Sequence, residues 1–145
     1  MRRLSLSDPT TEFVDANVLI RHFTQDVPDQ ARRATQYLEM VGLSQIHARM
    51  TEASISEVVY VLTSSKTYKL PRLDVANALR PILEFPALLV PSKSSILRAL
   101  DLWATTNVDL EDALNVAHAE RLGVASIVSF DRDYDRFPSI TRREP

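Results

Sequence analysis

Residues 11–20 read Thr-Glu-Phe-Val-Asp-Ala-Asn-Val-Leu-Ile, and this stretch contains the two patterns on which the fold depends. A short run of β-branched and aromatic residues ends at Asp15, which predicts a strand over Thr11–Asp15. From Asn17 onward apolar residues recur at helical spacing, which predicts a helix with Asn17 as its candidate N-cap. A strand that leads directly into a helix is the unit from which α/β domains are assembled.

The rest of the chain continues this alternation of strands and helices. Pro81 lies inside one predicted helix and should kink or end it. Because the strands alternate with long crossovers, we expect an α/β fold with a central, mostly parallel sheet of four to five strands covered by helices. The further predicted strands are Gln45–Met50, Ala87–Val90 and Ala125–Phe130, and the further predicted helices are Pro28–Val41, Thr51–Leu62, Pro71–Phe85, Ser92–Thr105 and Asp109–Leu122.

The composition is typical of one globular domain. The chain has 145 residues, of which 45% are hydrophobic and only two are glycine, and it contains no linker-like stretch or internal repeat. We therefore predict a single domain over residues 1–145, with its core at about residues 11–137. The last residues, Thr141–Pro145, are expected to form an exposed tail.

Composition also argues against several classes of protein. No apolar run approaches the roughly 20 residues that span a bilayer, and residues 1–9 lack the apolar segment of a secretory signal. The absence of cysteine excludes disulfides and thiolate metal sites. A net charge of −2 argues mildly against a broad basic DNA-coating surface. We expect a soluble, cytoplasmic protein with no membrane partner.

Four acidic residues lie at positions where α/β proteins bind ligands. Asp15 and Asp131 each follow a hydrophobic strand directly, Glu57 lies on the helix after the second strand, and Asp112 lies in the first turn of the helix before the last strand. Ligands of open parallel sheets bind beyond the carboxyl ends of the strands. We therefore expect these carboxylates to face one pocket, where oxygen ligands would suit Mg²⁺ or Mn²⁺.

Each of these acids also has a purely structural explanation. Asp15 is placed to cap a helix, Asp112 to interact favourably with a helix dipole, and the acidic stretch Asp131–Asp135 to form a solvated turn. Glu57 is the most informative, since it interrupts an otherwise apolar helix, where a charge needs a ligand or a partner. The structural alternative for Glu57 is an ion pair with a buried arginine.

Four stretches of the chain, in this order and spacing, resemble the motifs of the PIN-domain family, and within it those of the VapC-type toxins. The resemblance extends from about Phe13 to Phe137. The stretches are Phe13-Val-Asp-Ala-Asn-Val-Leu-Ile20, Ile55-Ser-Glu-Val-Val-Tyr-Val-Leu62, Val108-Asp-Leu-Glu-Asp-Ala-Leu-Asn-Val-Ala-His-Ala-Glu-Arg-Leu-Gly123 and Ile127-Val-Ser-Phe-Asp-Arg-Asp-Tyr134.

The resemblance implies a role for each acidic position and for two polar neighbours. Four carboxylates are implied as metal-binding, catalytic residues, with two supporting polar side chains and two auxiliary acids around them. On a helix, Asp109 and Asp112 share a face, so Asp109 is a candidate auxiliary ligand. The implied metal ligands are Asp15, Glu57, Asp112 and Asp131, and the implied supporting or auxiliary residues are Asn17, Ser129, Asp133 and Asp109.

The resemblance further implies the activity. It predicts a PIN-like α/β/α sandwich and an endoribonuclease that hydrolyses RNA with water activated by Mg²⁺ or Mn²⁺. It also implies the toxin of a toxin–antitoxin pair, inhibited by a cognate antitoxin and assembled as a homodimer. Three alternatives remain: a PIN-type RNA-processing nuclease outside such a system, a non-catalytic RNA-binding or protein-binding module, and an aspartyl phosphotransferase. The phosphotransferase is disfavoured because Asn17 stands where a second acid is expected.

Overall fold

The computed structural model describes residues 10–145, which divide into two compact units, one ending at Pro91 and the other beginning at Ser92. The leading segment, residues 1–9, on which the prediction about a secretory signal depends, lies outside the described residues. Each unit combines helices with parallel strands. The prediction of a single domain stays a prediction.

The first unit contains a three-stranded parallel sheet, whose strands in spatial order are β1 (Glu12–Phe13), β2 (Ala48–Arg49) and β3 (Leu88–Leu89). Glu12 pairs with Ala48 and Ala48 with Leu88, so the strand order follows the order along the chain. Helical crossovers join the strands, which is how parallel neighbours are connected. The elements are β1 (Glu12–Phe13), α1 (Ala16–Thr24), α2 (Pro28–Gly42), β2 (Ala48–Arg49), α3 (Glu52–Thr63), α4 (Arg72–Leu83) and β3 (Leu88–Leu89).

Local signals set the ends of these helices. The side chain of Thr51 accepts a hydrogen bond from the backbone N–H of Ser54 at 3.0 Å and so caps α3. Pro81 lies inside α4, which ends two residues later at Leu83. The helix therefore does not end at Pro81, which is one of the two predicted outcomes, and its end at Leu83 lies beyond the preceding turn, which is the turn that a proline disturbs.

The second unit contains two long helices and a two-stranded parallel sheet, in which Ser126 pairs with Thr141. Gly123 ends α6 with a φ of 67°, in the left-handed region that glycine adopts without strain. The elements are α5 (Lys93–Thr105), α6 (Leu110–Leu122), β4 (Ser126–Val128), a 3₁₀ helix (Arg132–Arg136) and β5 (Thr141–Arg143).

The predicted tail, Thr141–Pro145, is mostly exposed, as expected, but its first three residues form the strand β5. Thr141–Arg143 pairs with β4 along its whole length, and Arg142 also donates to the backbone carbonyl of Ser129 at 3.1 Å. The segment carries no alternation of apolar and polar residues, so its strand structure comes from pairing with β4 and not from local pattern.

The α/β class with parallel strands and flanking helices is confirmed. The prediction of one central sheet of four to five strands is not met among the described residues, whose five strands form two sheets, three strands in the first unit and two in the second. Within residues 10–145, no helix has both the length and the apolar character that crossing a bilayer requires.

Candidate functional site

The second unit brings three carboxylates together. Asp112 lies in the first turn of α6, Asp131 is the N-cap of the 3₁₀ helix, and Asp133 lies in the first turn of that helix. One potential ligand atom from each lies within 4.8 Å of the other two. Because all three donors are oxygen atoms, this cluster has the chemistry that Mg²⁺ and Mn²⁺ prefer.

Two successive caps shape the chain that carries Asp131 and Asp133. The backbone N–H of Asp131 donates to the hydroxyl oxygen of Ser129 at 2.9 Å, and the backbone N–H of Asp133 donates to Asp131 Oδ1 at 2.8 Å. Short polar side chains favour such turns because they satisfy backbone donors locally. Ser129 therefore supports the loop on which these two carboxylates lie.

Asp112 is held by a hydrogen-bonded chain of side chains. The hydroxyl of Tyr134 donates to Asp112 Oδ1 at 3.0 Å, and Asn115 Nδ2 donates to the hydroxyl oxygen of Tyr134 at 2.9 Å. Tyr134 is buried, and a buried hydroxyl normally has a partner. Sequence reasoning did not single out Tyr134 or Asn115. The only local signal was a tyrosine directly after two closely spaced aspartates.

Electrostatics at Asp112 favour binding of a cation. Burial raises the pKa of the Asp112 carboxyl, the carboxylates of Asp131, Asp109 and Asp133 raise it further, and the hydrogen bond from Tyr134 opposes them. Burial likewise raises the pKa of the Tyr134 hydroxyl. A carboxylate whose ionised form is disfavoured by its surroundings is stabilised by a positive charge placed beside it.

Asp109 lies outside the cluster of three carboxylates. It occupies the N-cap position of α6, although its side chain makes no capping hydrogen bond. Its charge nevertheless contributes to the raised pKa of Asp112. In the structure Asp109 therefore acts on the cluster through its charge.

In the first unit, Asp15 caps α1. Its backbone is extended, and its Oδ2 accepts from the backbone N–H of Asn17 at 3.3 Å. The prediction that Asn17 is the N-cap is therefore wrong, because the extended backbone of Asp15 lets its carboxylate reach the first turn. Asn17 lies within that turn, with its side chain exposed.

Asp15 also lines an open groove of about 750 Å³ in the first unit. The groove is formed by β1, the start of α1 and one side of α2. Asn17 lines it as well, so the two polar residues of the first motif face the same space. The remaining lining residues are Glu12, Phe13, Val14, Val18, Arg21, Gln30, Arg33, Ala34 and Tyr37.

Glu57 lies on the exposed side of α3. The buried face of that helix consists of Ile55, Val58, Val59 and Leu62. The interpretation that Glu57 interrupts a buried apolar face is therefore wrong, because the helix has a solvent side on which Glu57 lies. Among residues 10–145 its side chain has no ion pair, so a buried arginine partner is also absent there.

Comparison with known families gives one match. The sequence model of the PIN domain matches residues 13–140, which is most of the chain and includes all eight candidate site residues. No curated protein matches the chain.

Proposed function

Since the chain belongs to the PIN-domain family, we propose that it is an endoribonuclease that hydrolyses RNA phosphodiester bonds in the presence of Mg²⁺ or Mn²⁺. PIN domains are in general metal-dependent nucleases, and PIN nucleases act on RNA. The observation that carries the proposal is the convergence of Asp112, Asp131 and Asp133, whose oxygens lie within 4.8 Å of one another.

The residues of this cluster fit a divalent cation. They provide only oxygen donors, and burial together with the neighbouring carboxylates raises the pKa of the Asp112 carboxyl. Arg136 Nε lies 3.7 Å from Asp133 Oδ1 and offsets part of the negative charge of the cluster. A bound ion would lower the pKa of a coordinated water and stabilise charge on the departing oxygen. Because the activated water is then the nucleophile, hydrolysis needs no nucleophilic side chain, and carboxylates that bind the cation are sufficient.

We assign roles to the chain's own residues on this basis. Asp112 and Asp131 hold the cation, and Asp133 assists. Asp15 and Glu57 are proposed as further metal-binding, catalytic carboxylates because of their positions in the first and second motifs. Both are exposed, and Asp15 also lines a groove beside polar and cationic side chains.

Three residues support these carboxylates in the proposal. Ser129 holds the backbone N–H of Asp131, which orients the chain as it leaves β4. Asn17 provides the N–H that binds Asp15, and Asp109 adds negative potential near Asp112. These contacts are the kind that orient metal ligands in other proteins.

We also propose that the protein is the toxin of a toxin–antitoxin pair, with a cognate antitoxin protein as its inhibitor and a homodimer as its assembly. The order and residues of the four motifs support this finer proposal. Expression of the wild type in a bacterial host should then arrest growth, expression of Asp112→Asn should not, and co-expression of the proposed antitoxin should restore growth. Equal growth with wild type and variant would leave an RNA-processing nuclease as the better description.

The test of the nuclease itself is cleavage of labelled RNA by the purified protein with Mn²⁺, with Mg²⁺ and with chelator. Asp112→Asn is the test variant. Asp74→Asn is its matched control, since Asp74 is an exposed carboxylate in the first turn of α4. We expect metal-dependent cleavage by the wild type and the control, and none by Asp112→Asn. Equal cleavage by all three proteins, or none by the wild type, would favour the binding-module alternative.

A further inference from the structure

We propose that Tyr134 is a positioning residue, whose hydroxyl, itself held by Asn115, orients the Asp112 carboxylate for cation binding. The proposal rests on the metal-dependent function proposed above. It adds to that function a residue that is neither an acid nor exposed: the side chain of Tyr134 is 4% exposed.

The hydrogen-bonding capacity of the Tyr134 hydroxyl is used in two directions. Its single proton goes to Asp112 Oδ1 at 3.0 Å, and its oxygen accepts from Asn115 Nδ2 at 2.9 Å. The amide of Asn115 therefore directs the hydroxyl proton toward the carboxylate. A bond from a buried hydroxyl to a charged acceptor is stronger than one between neutral groups.

This hydrogen bond joins the two elements that carry the cluster. Asp112 lies on α6, whereas Asp131 and Asp133 lie at the start of the 3₁₀ helix that also contains Tyr134. The residues joined by the bond are 22 positions apart in the sequence. The hydroxyl of Tyr134 therefore links one carboxylate of the cluster to the loop that provides the other two.

A role limited to packing makes a different prediction. The ring of Tyr134 is buried within the second unit, and Tyr134→Phe keeps that ring while it removes only the oxygen. If packing were the whole role, the variant would bind Mn²⁺ as the wild type does. If the hydroxyl positions Asp112, the affinity for Mn²⁺ falls although the ring remains.

The experiment measures Mn²⁺ binding by titration calorimetry on the full chain. Tyr134→Phe is compared with Tyr60→Phe, which removes a hydroxyl from a side chain that is 67% exposed on α3. We expect a Kd about ten times weaker for Tyr134→Phe, the effect typical of losing a group that orients a metal ligand. We expect no change for Tyr60→Phe. RNA cleavage by Tyr134→Phe should recover at raised Mn²⁺ concentration, which a purely structural defect would not do.

The outcomes separate this inference from the proposed function. If Asp112→Asn abolishes Mn²⁺ binding while Tyr134→Phe keeps the wild-type Kd, the positioning role is overturned and the metal site stands. If Asp112→Asn binds Mn²⁺ as the wild type does, the metal site and the positioning role both fail. If Tyr134→Phe does not fold, Asn115→Ala decides, because Asn115 is exposed. A weaker Kd then supports the proposal, and an unchanged Kd overturns it.

Discussion

Asp112→Asn should stabilise the metal-free protein although it removes a candidate catalytic group. In the absence of a cation, the charge of Asp112 is opposed by burial and by its acidic neighbours, which together raise the pKa of its carboxyl. The amide of asparagine has nearly the same shape and still accepts the hydrogen bond from Tyr134. The substitution therefore removes repulsion with little change in packing.

The size of the effect follows from the separation of the carboxylates. Two unit charges within 4.8 Å of each other repel by at least about 0.9 kcal/mol in water. Salt at physiological ionic strength screens roughly half of this. Since Asp112 faces two such neighbours, the repulsion removed is about 1 kcal/mol. The bond from Tyr134 to a neutral amide is weaker than the bond to a carboxylate, so the variant should gain at most about 1 kcal/mol of unfolding free energy, which corresponds to at most about 4 °C in Tm for a chain of this size.

The gain should depend on pH in a defined direction. A carboxyl whose pKa is raised by folding lowers the free energy of unfolding when it is ionised. This loss is absent below the pKa of the carboxyl in the unfolded chain and complete above its pKa in the folded protein. The difference between Asp112→Asn and wild type should therefore be small near pH 3.5 and reach its maximum by pH 7. It should also shrink in 1 M salt.

Thermal or urea unfolding in chelator, at low and neutral pH, measures this difference. Addition of Mn²⁺ at pH 7 should reverse the order of stability, because only the wild type retains the Asp112 carboxylate. Asp74→Asn should unfold as the wild type does throughout. A lower stability of Asp112→Asn in chelator at pH 7 would refute the reasoning, because the carboxylate would then be stabilising without a cation.

Three further predictions concern metal binding and helix caps. Mn²⁺ at a hundred times its Kd should raise the unfolding free energy of the wild type by about 2.7 kcal/mol, as measured by urea unfolding; no rise would exclude binding to the native state. Asp15→Asn should abolish RNA cleavage and leave Tm nearly unchanged, because asparagine also caps helices. Asp15→Ala should abolish cleavage as well and lower the free energy of unfolding by about 0.5–1 kcal/mol. Equal Tm values for the two variants would show that the cap contributes nothing. Thr51→Ala should cost about 1 kcal/mol through the lost bond to Ser54, and an unchanged midpoint of urea unfolding would contradict the role of this cap.

Features that depend on short-range interactions were accessible from the sequence. The cap at Thr51 and the helix end at Gly123 depend on contacts within one turn or on the conformational limits of one residue. The alternation of strands and helices follows from apolar spacing, which is also local. The fold class could therefore be predicted, and the acids that follow the strands could be identified.

Part of the candidate site was equally accessible. Asp112, Asp131 and Asp133 were recognised by their place in the motifs and converge in the second unit. The exposed environment of Glu57 could not be predicted from the sequence, since an apolar helix sequence does not specify which face of the helix is covered. The choice between Asp15 and Asn17 as N-cap depended on one backbone conformation that composition does not encode.

By itself the sequence determined the α/β class, local signals such as the cap at Thr51, and the acidic residues that point to metal chemistry, because these depend on periodicity and on residue type. Only the tertiary structure decided that Thr141–Arg143 is a strand and that the hydroxyl of Tyr134 lies on Asp112. The strand depends on partners 15 residues away along the chain, and the hydrogen bond joins residues that are 22 positions apart. Such contacts form when helices and strands pack, and no local pattern of apolar and polar residues specifies them.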